Sequence, residues 1–221
     1  SVERNGDLYP THGIGPVSTM LDINRGNKFE HLTSTATKSR GLHNYIVKHG
    51  GEKHPNTNVE FKLGDIVTTV IKCYNGETVV VSHDTNNPRP YSLNFRVQGT
   101  EGIWMGDQYS IYLEDKSPEP HQWEPFDKYL DEYDHRLWKN FEDDADGAGH
   151  GGIDFFVVRA FIESIKRQVK PPIDVYDAVS MSVISPLSEK SIENGSSPVE
   201  FPDFTRGKWK RNKPIFGTSD L

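Results

Sequence analysis

DIVTTVIKCYNGETVVVSH, residues 65–83, decides the fold class. Asp65 to Cys73 is β-branched and apolar, which suits a pleated, half-buried surface. Asn75-Gly76 supplies the pair that a two-residue type I′ hairpin turn needs, because both of its central residues take positive φ. Thr78 to His83 then returns as the second strand. Outward from this hairpin, Tyr91 to Gln98 alternates: Tyr91, Leu93, Phe95 and Val97 share one face, and Ser92, Asn94, Arg96 and Gln98 share the other. That period predicts a half-buried antiparallel strand. Gly106-Asp107 turns the chain again into Gln108 to Leu113. The result is an antiparallel, open-faced sheet of about five or more strands.

The flanks predict helices. Residues 1–16 read as a loop, with Pro16 at the first turn of a short helix, Val17 to Ile23. A strand is expected over 28–37 and a helix from Gly41 to Val47, ended by Gly50-Gly51. Residues 114–148 read as an irregular or partly helical excursion, tethered by Trp123, Phe126, Tyr129, Tyr133, Leu137 and Trp138. Ile153 to Val169 has helical spacing, with Ile153, Val157, Phe161 and Ile165 on one stripe and Phe156, Ala160 and Ser164 beside it. Asp174 can cap the next helix, which runs through Val183 to a stop or kink at Pro186. A last turn extends to Asn194, and Gly195 ends it. Strands followed by helices give an α+β class, with helices packed on one face of the sheet. At 221 residues, the chain is expected to form a single domain over 1–221.

Composition narrows the function. The formal net charge is −7, and residues 114–146 alone carry twelve acids against four Lys or Arg. The remainder is nearly neutral, which argues against a nucleic-acid surface, since phosphate contacts need clustered cations. The short basic run from Arg206 to Lys213 reads as a solvated tail. No run of about 18 apolar residues is present, so no membrane span is expected. The single Cys73 rules out an internal disulfide framework, and its strand-like setting predicts a buried, inert thiol. None of the nine histidines has metal-site spacing such as H-E-x-x-H, so no metal is expected. No G-x-S-x-G nucleophile motif occurs. No G-x-G-x-x-G opens a helix after a strand.

Six segments together carry a family pattern: LYPTHGIGP at 8–16, LDINRGNKF at 21–29, PYSLNFRVQGTEGIW at 90–104, GHGGIDFFVVRAFIESI at 149–165, PPIDVYDAVSMSVISPLSEKSI at 171–192 and FPDFTRGKWK at 201–210. In content and order they resemble the C-terminal half of glycoside hydrolase family 109, within the wider Gfo/Idh/MocA oxidoreductase superfamily. One departure is Asn27, where the resemblance leads us to expect Asp after INRG. The implied protein is the substrate-binding half of an NAD-dependent alpha-N-acetylgalactosaminidase. Its NAD would be bound mainly by an N-terminal Rossmann domain absent from this chain.

The implied chemistry is transient oxidation at the sugar C3, loss of the C2 proton, elimination of the aglycone, water addition and re-reduction. This route needs no flanking carboxylate pair. Tyr9, Pro10, Thr11 and His12 match the family's sugar-contacting motif. Their types suit it: an imidazole moves protons near neutrality, and a tyrosine offers a hydroxyl and a ring face. His12 and Tyr9 are thus the candidate catalytic residues. Tyr91 matches a second sugar-contacting position, although its place in an apolar stripe equally fits a core residue. His150, between Gly149 and Gly151, could contact the cofactor or fix the start of its helix. Arg25 and Arg96 read as structural ion-pair formers.

Two other readings stay open: a net sugar dehydrogenase of the same superfamily, and a non-catalytic sugar-binding or oligomerisation module. The resemblance also implies pairing of copies through sheet faces, and export to the periplasm. Here the face of Ser92, Asn94 and Arg96 is polar.

Overall fold

A computed structural model of the protein describes residues 1–215. The chain forms two compact units. The first joins Ser1–Arg89 to the segment beginning at Ile173, and the second spans Pro90–Pro172. In chain order the strands are β1 (Phe29–Ala36), β2 (Ile66–Cys73), β3 (Thr78–Asp84), β4 (Arg96–Gln98), β5 (Gly102–Met105), β6 (Ser110–Leu113), β7 (Glu124–Pro125) and β8 (Val199–Glu200). The longer helices are α1 (Thr11–Met20), α2 (Gly41–Gly50), α3 (Arg136–Ala145), α4 (Ile153–Arg167), α5 (Val175–Ser182) and α6 (Ile184–Glu193). The class is α+β, and the sheets are antiparallel. The strands do not form one meander, however. They divide into two four-stranded sheets, β3-β2-β1-β8 and β4-β5-β6-β7, one in each unit.

In the first unit, β1 and β2 pair from Phe29 opposite Cys73 to Ala36 opposite Val67. The face carrying Phe29, Leu32, Ile71 and Cys73 packs with Ile14 of α1, Met181 of α5 and Ile184 of α6. Each of these side chains is withdrawn from water, and a fully buried aliphatic side chain contributes roughly 1.5–3 kcal/mol. The opposite face stays open: Val70 and Val80, paired across β2 and β3, are both exposed. Cys73 is buried, and burial pushes its thiol up to about 12, so it is unreactive.

The β2–β3 connection departs from the expected turn. Cys73 and Glu77 close the hairpin, with the Cys73 amide donating to the Glu77 carbonyl at 2.9 Å. Tyr74, Asn75 and Gly76 form a three-residue loop, and within it only Gly76 takes positive φ, +110°. This is the pattern of a type I turn closed by a left-handed glycine. Tertiary contacts select it. The Asn75 amide donates to Asn27 Oδ1 at 3.1 Å, and the Tyr74 ring packs edge-on to Trp209 at 4.9 Å.

Helix boundaries differ in one place that matters. The first helix starts at Thr11, not at Val17, and Pro16 lies inside it. Pro10, at φ −74°, already has the dihedral of a helix start. Downstream, Asp174 caps α5 as expected. Its Oδ1 accepts from the Tyr176 and Asp177 amides at 2.8 and 3.2 Å, while Asp177 Oδ2 accepts from the Asp174 amide at 2.9 Å. The chain then passes through Val183 into α6, with Gly195 just beyond its end at φ +69°.

In the second unit, the strand expected over 91–98 shrinks to β4. Asn94 sits at φ +50°, which breaks the alternation. Asp107 bonds the Ser92 hydroxyl and accepts from the Asn94 amide at 3.2 Å, holding the segment in a loop. Tyr91 and Leu93 are therefore exposed rather than core. In α4 the inward residues are Phe155, Phe156 and Ser164. Phe156 meets Trp138 at 4.6 Å, and Ser164 is buried. The stripe of Ile153, Val157, Phe161 and Ile165 faces outward. Within the acidic excursion, Glu124 is the organising residue. Lys128, Ser117 and Tyr129 bond its carboxylate, and Lys128 foremost holds it below the usual carboxylate range.

A buried ion pair ties the start of the first unit to its end. Arg25 Nη1 and Nη2 meet Asp177 Oδ1 and Oδ2 at 2.7 and 2.6 Å. Asn24 adds a third donor to Oδ1 at 3.1 Å. Burial pushes Asp177 up, but Arg25, the Asp174 amide and Asn24 outweigh it and leave the carboxyl below its usual value. Removing one partner of such a pair leaves the other charge buried and alone, at a cost of about 3–5 kcal/mol. Arg25→Ala is therefore expected to lower unfolding free energy by about that amount in urea titrations at pH 7. A loss below about 1 kcal/mol would show the pair to be dispensable.

Candidate functional site

The turn Tyr9–His12 is built from its flanks inward. Gly6 passes so close to α6 that an added Cβ would lie 2.5 Å from Glu189 Cγ and 2.8 Å from Ser188 Oγ. Only glycine fits without a shift. The next residue is held on both sides of its main chain. The Asp7 amide donates to Ser188 Oγ at 2.8 Å, and Ser185 Oγ donates to the Asp7 carbonyl at 2.6 Å. Pro10 is buried and starts α1, which leaves Thr11 and His12 exposed on its first turn. Tyr9, 61% exposed, stacks on His12 with ring centroids 4.6 Å apart and planes 23° from parallel. Tyr9 Oη lies 3.5 Å from His12 Nε2. A hydroxyl and an imidazole are thus presented together to solvent on a rigid mount. Such a pair can bond a polyol and can take up or deliver a proton.

Beneath this turn lies an unusual carboxylate. Asp7 is fully buried, and neither of its oxygens has a hydrogen-bond partner. Burial lifts its carboxyl from the usual 3.8 to about 6; the Tyr9 amide, which faces it, acts the other way without completing a bond. His83 of β3, its side chain 9% exposed, brings Nδ1 within 4.0 Å of Asp7 Oδ1. Burial, the largest effect, depresses the basicity of the His83 ring, and neighbouring Asp84 opposes it.

The second unit holds Tyr91 and His150. Tyr91 is 89% exposed, in the irregular segment before β4. His150 has φ +54° and stands in a short 3-10 turn ahead of α4. Its Nδ1 lies 2.9 Å from Oδ1 of Asp154 in the first turn of that helix. Arg25 is the structural ion-pair former described above.

Comparison with known proteins identifies the family. Residues 1–211 match the family model described as Glycosyl hydrolase 109, C-terminal domain. The chain belongs to glycoside hydrolase family 109. A family 109 protein of Stenotrophomonas maltophilia is 60% identical over 217 residues, covering 98% of this chain and 48% of the relative. The alpha-N-acetylgalactosaminidase of Tannerella forsythia is 56% identical over 216 residues, covering 98% of this chain and 46% of the relative. This family 109 chain thus spans about half the length of the curated relatives it matches. Among solved structures, a levoglucosan dehydrogenase in complex with NADH and levoglucosan superposes with a TM-score of 0.53 at 16% identity, over 80% of this chain and 46% of that one. That likeness is one of fold, shared with an oxidoreductase.

Among the described residues of this family 109 domain, none are arranged as a dinucleotide cradle. Both sheets are antiparallel, whereas that cradle follows a parallel strand. The glycines at 149, 151 and 152 do lead into α4, but the Asp154 carboxylate occupies their approach: a Cβ on Gly149 would lie 2.3 Å from Asp154 Oδ2. A pyrophosphate there would meet a like charge. Among the described residues, no group of three or more His, Cys, Asp or Glu is arranged to hold a metal ion, and no helix is long and apolar enough to cross a membrane.

Sequence reasoning placed Tyr9 to His12 in one motif, and the structure brings them together. It missed Asp7, His83, Ser185 and Ser188. One signal was present: Val79, Val81 and His83 share a strand face, so His83 points the way of a buried valine.

Asp7 has a pH consequence with a definite sign. Between about pH 4 and about 6 the folded chain keeps a proton that the unfolded chain releases. Stability from the neutral carboxyl is complete below pH 4 and is lost as pH rises through 6, to a total of about 3 kcal/mol. Asp7→Asn cannot ionise, so the comparison reads the proton held at Asp7 together with its effect on His83. The stability of the variant relative to wild type is expected to rise by about that amount from pH 4 to pH 7.5 in denaturant titrations. A constant difference would refute the buried, proton-holding Asp7.

Proposed function

We propose that this chain is the substrate-binding half of an NAD-dependent glycosidase that acts on alpha-N-acetylgalactosaminides. The observation that carries the reading is the exposed Tyr9–His12 pair, stacked on a main chain clamped from α6. Family membership and the name of the Tannerella forsythia relative support the sugar class. An N-terminal Rossmann domain outside this chain is the partner that would hold NAD, in keeping with the lack of a dinucleotide cradle among the residues described.

Tyr9, Pro10, Thr11 and His12 then form the sugar contact; for Tyr91, in the other unit, a sugar-contacting role rests on the match to the family's motif alone. NAD, held by the partner domain, would supply the hydride acceptor and donor for the sugar. What falls to this chain is orientation and proton movement. His12 Nε2 is the atom assigned to take the proton from C2 as the aglycone leaves C1, with Tyr9 Oη positioned beside it. His12 is mounted on the first turn of α1 and Tyr9 just ahead of its cap, and a base is effective when it is held in position.

The test uses the protein joined to its NAD-binding half and an aryl alpha-N-acetylgalactosaminide. Release of the aglycone without net NADH is expected. His12→Ala is expected to lower kcat/KM by about 100-fold or more, the usual contribution of a positioned proton-transfer group. Steady NADH accumulation without release would overturn the glycosidase reading in favour of a dehydrogenase.

A further inference from the structure

We propose that Asp7 and His83 share one proton across a buried gap, and that this pair sets the placement of the Tyr9–His12 turn, making Asp7 a positioning residue of that site. The role assigned to the turn rests on the sugar-binding reading above; the pair itself does not.

Three observations carry the inference. First, the Asp7 side chain is 1% exposed, and both of its oxygens lack a partner. A bare carboxylate in that position is costly, so a proton or a donor is required. Second, His83 faces it. Its Nδ1 is 4.0 Å from Asp7 Oδ1, and its side chain is 9% exposed. The gap exceeds a hydrogen bond by about 1 Å, so the two groups act on each other through charge and through the proton they share. With the proton on Oδ1 the pair is neutral; moved to Nδ1 it becomes an ion pair, and the net charge is unchanged. Third, the Asp7 main chain is fixed, with Ser185 and Ser188 holding its carbonyl and amide, and its carboxyl faces the Tyr9 amide, so a change of charge there acts on the turn directly. The same strand also touches α1 directly: a Cβ on Gly13, one residue after His12, would lie 3.7 Å from Val81 Cγ1.

The surrounding charges are few. On β3, Asp84 raises the proton affinity of the His83 ring and is itself paired with Arg89 at 3.6 Å. On α6, Glu189 beside Ser188 is neutralised by Arg4 at 2.6 Å. None of these reaches the Asp7 oxygens with a hydrogen bond.

The experiment is a pH titration of the chain labelled at histidine and aspartate, followed by NMR at Asp7 Cγ, His83 Nδ1 and the His12 ring. Asp7 and His83 are expected to move with common midpoints, as interacting groups do, and His12 to show a second, smaller inflection at the same pH. Asp7→Asn is expected to abolish that inflection and to move the His83 midpoint down by about one pH unit. His83→Gln, which keeps Asp7, should leave a single Asp7 transition and move the His12 inflection to its midpoint, and it serves if Asp7→Asn does not fold. A His83 profile unchanged by Asp7→Asn, or a wild-type His12 ring that ignores the pair's midpoint, overturns the proposal. A parallel titration with N-acetylgalactosamine separates the two readings. Co-titration without sugar binding upholds the pair and counts against the sugar reading alone.

Discussion

The first unit depends on the buried bidentate contact between Arg25 and Asp177. Its two charges come from residues 152 positions apart, and Asn24 joins the same two segments beside it through buried bonds to Asp177 and Ser180. The contact is used twice over. Asp177 also completes the capping box of α5 through the Asp174 amide, and Asn24 donates to it from the neighbouring position. The arrangement satisfies the carboxylate on all sides, which is the condition under which a buried ion pair is tolerated. With that end of α5 fixed, α6 follows through a single residue and lies along β1. The hydroxyls of Ser185 and Ser188 are then in place to hold the chain before the candidate site.

Asn27 shows the same economy in a neutral form. Its Nδ2 donates to the Leu21 carbonyl at 3.0 Å and to Glu77 Oε2 at 3.1 Å, and its Oδ1 accepts from the Lys28 and Asn75 amides at 2.9 and 3.1 Å. All four bonds use the amide's full capacity. An aspartate here would face two acceptors with an acceptor. The departure from the expected Asp is thus matched by Glu77 on the adjoining hairpin. The contrast with Asp7 is physical. One buried polar side chain has every partner, while the other has none, and the one without partners lies under the exposed Tyr9–His12 pair.

Much of the fold was legible from pattern. The runs 28–37, 65–73 and 78–83 became β1, β2 and β3, because β-branched residues bounded by polar turns have few other stable states. The Asp174 cap and the Gly195 stop were also correctly placed, since capping uses local chemistry alone. What failed were cases where one distant side chain overrode local preference. Asp107 and the left-handed Asn94 dissolved the predicted strand at Tyr91. Asn27 and Trp209 turned a two-residue hairpin loop into three. Alternation over 91–98 could not show that the chain would divide into two sheets, because periodicity reports a face and not a partner.

By itself, the sequence determined the α+β class, the antiparallel pairing of its central hairpin, and the family membership carried by motifs such as YPTHG and INRG. Those features rest on short-range sterics and on residues adjacent in the chain. Only the tertiary structure decided that Tyr9 and His12 stack on a helix beginning at Thr11, and that Asp7 is sealed beneath them facing His83. The reason is distance along the chain. Asp7 meets Ser188 across 181 positions, and the burial that withholds water from its carboxyl comes from β3 and α6 together. No local rule assigns such a carboxyl its environment, because the environment exists only once those elements have packed.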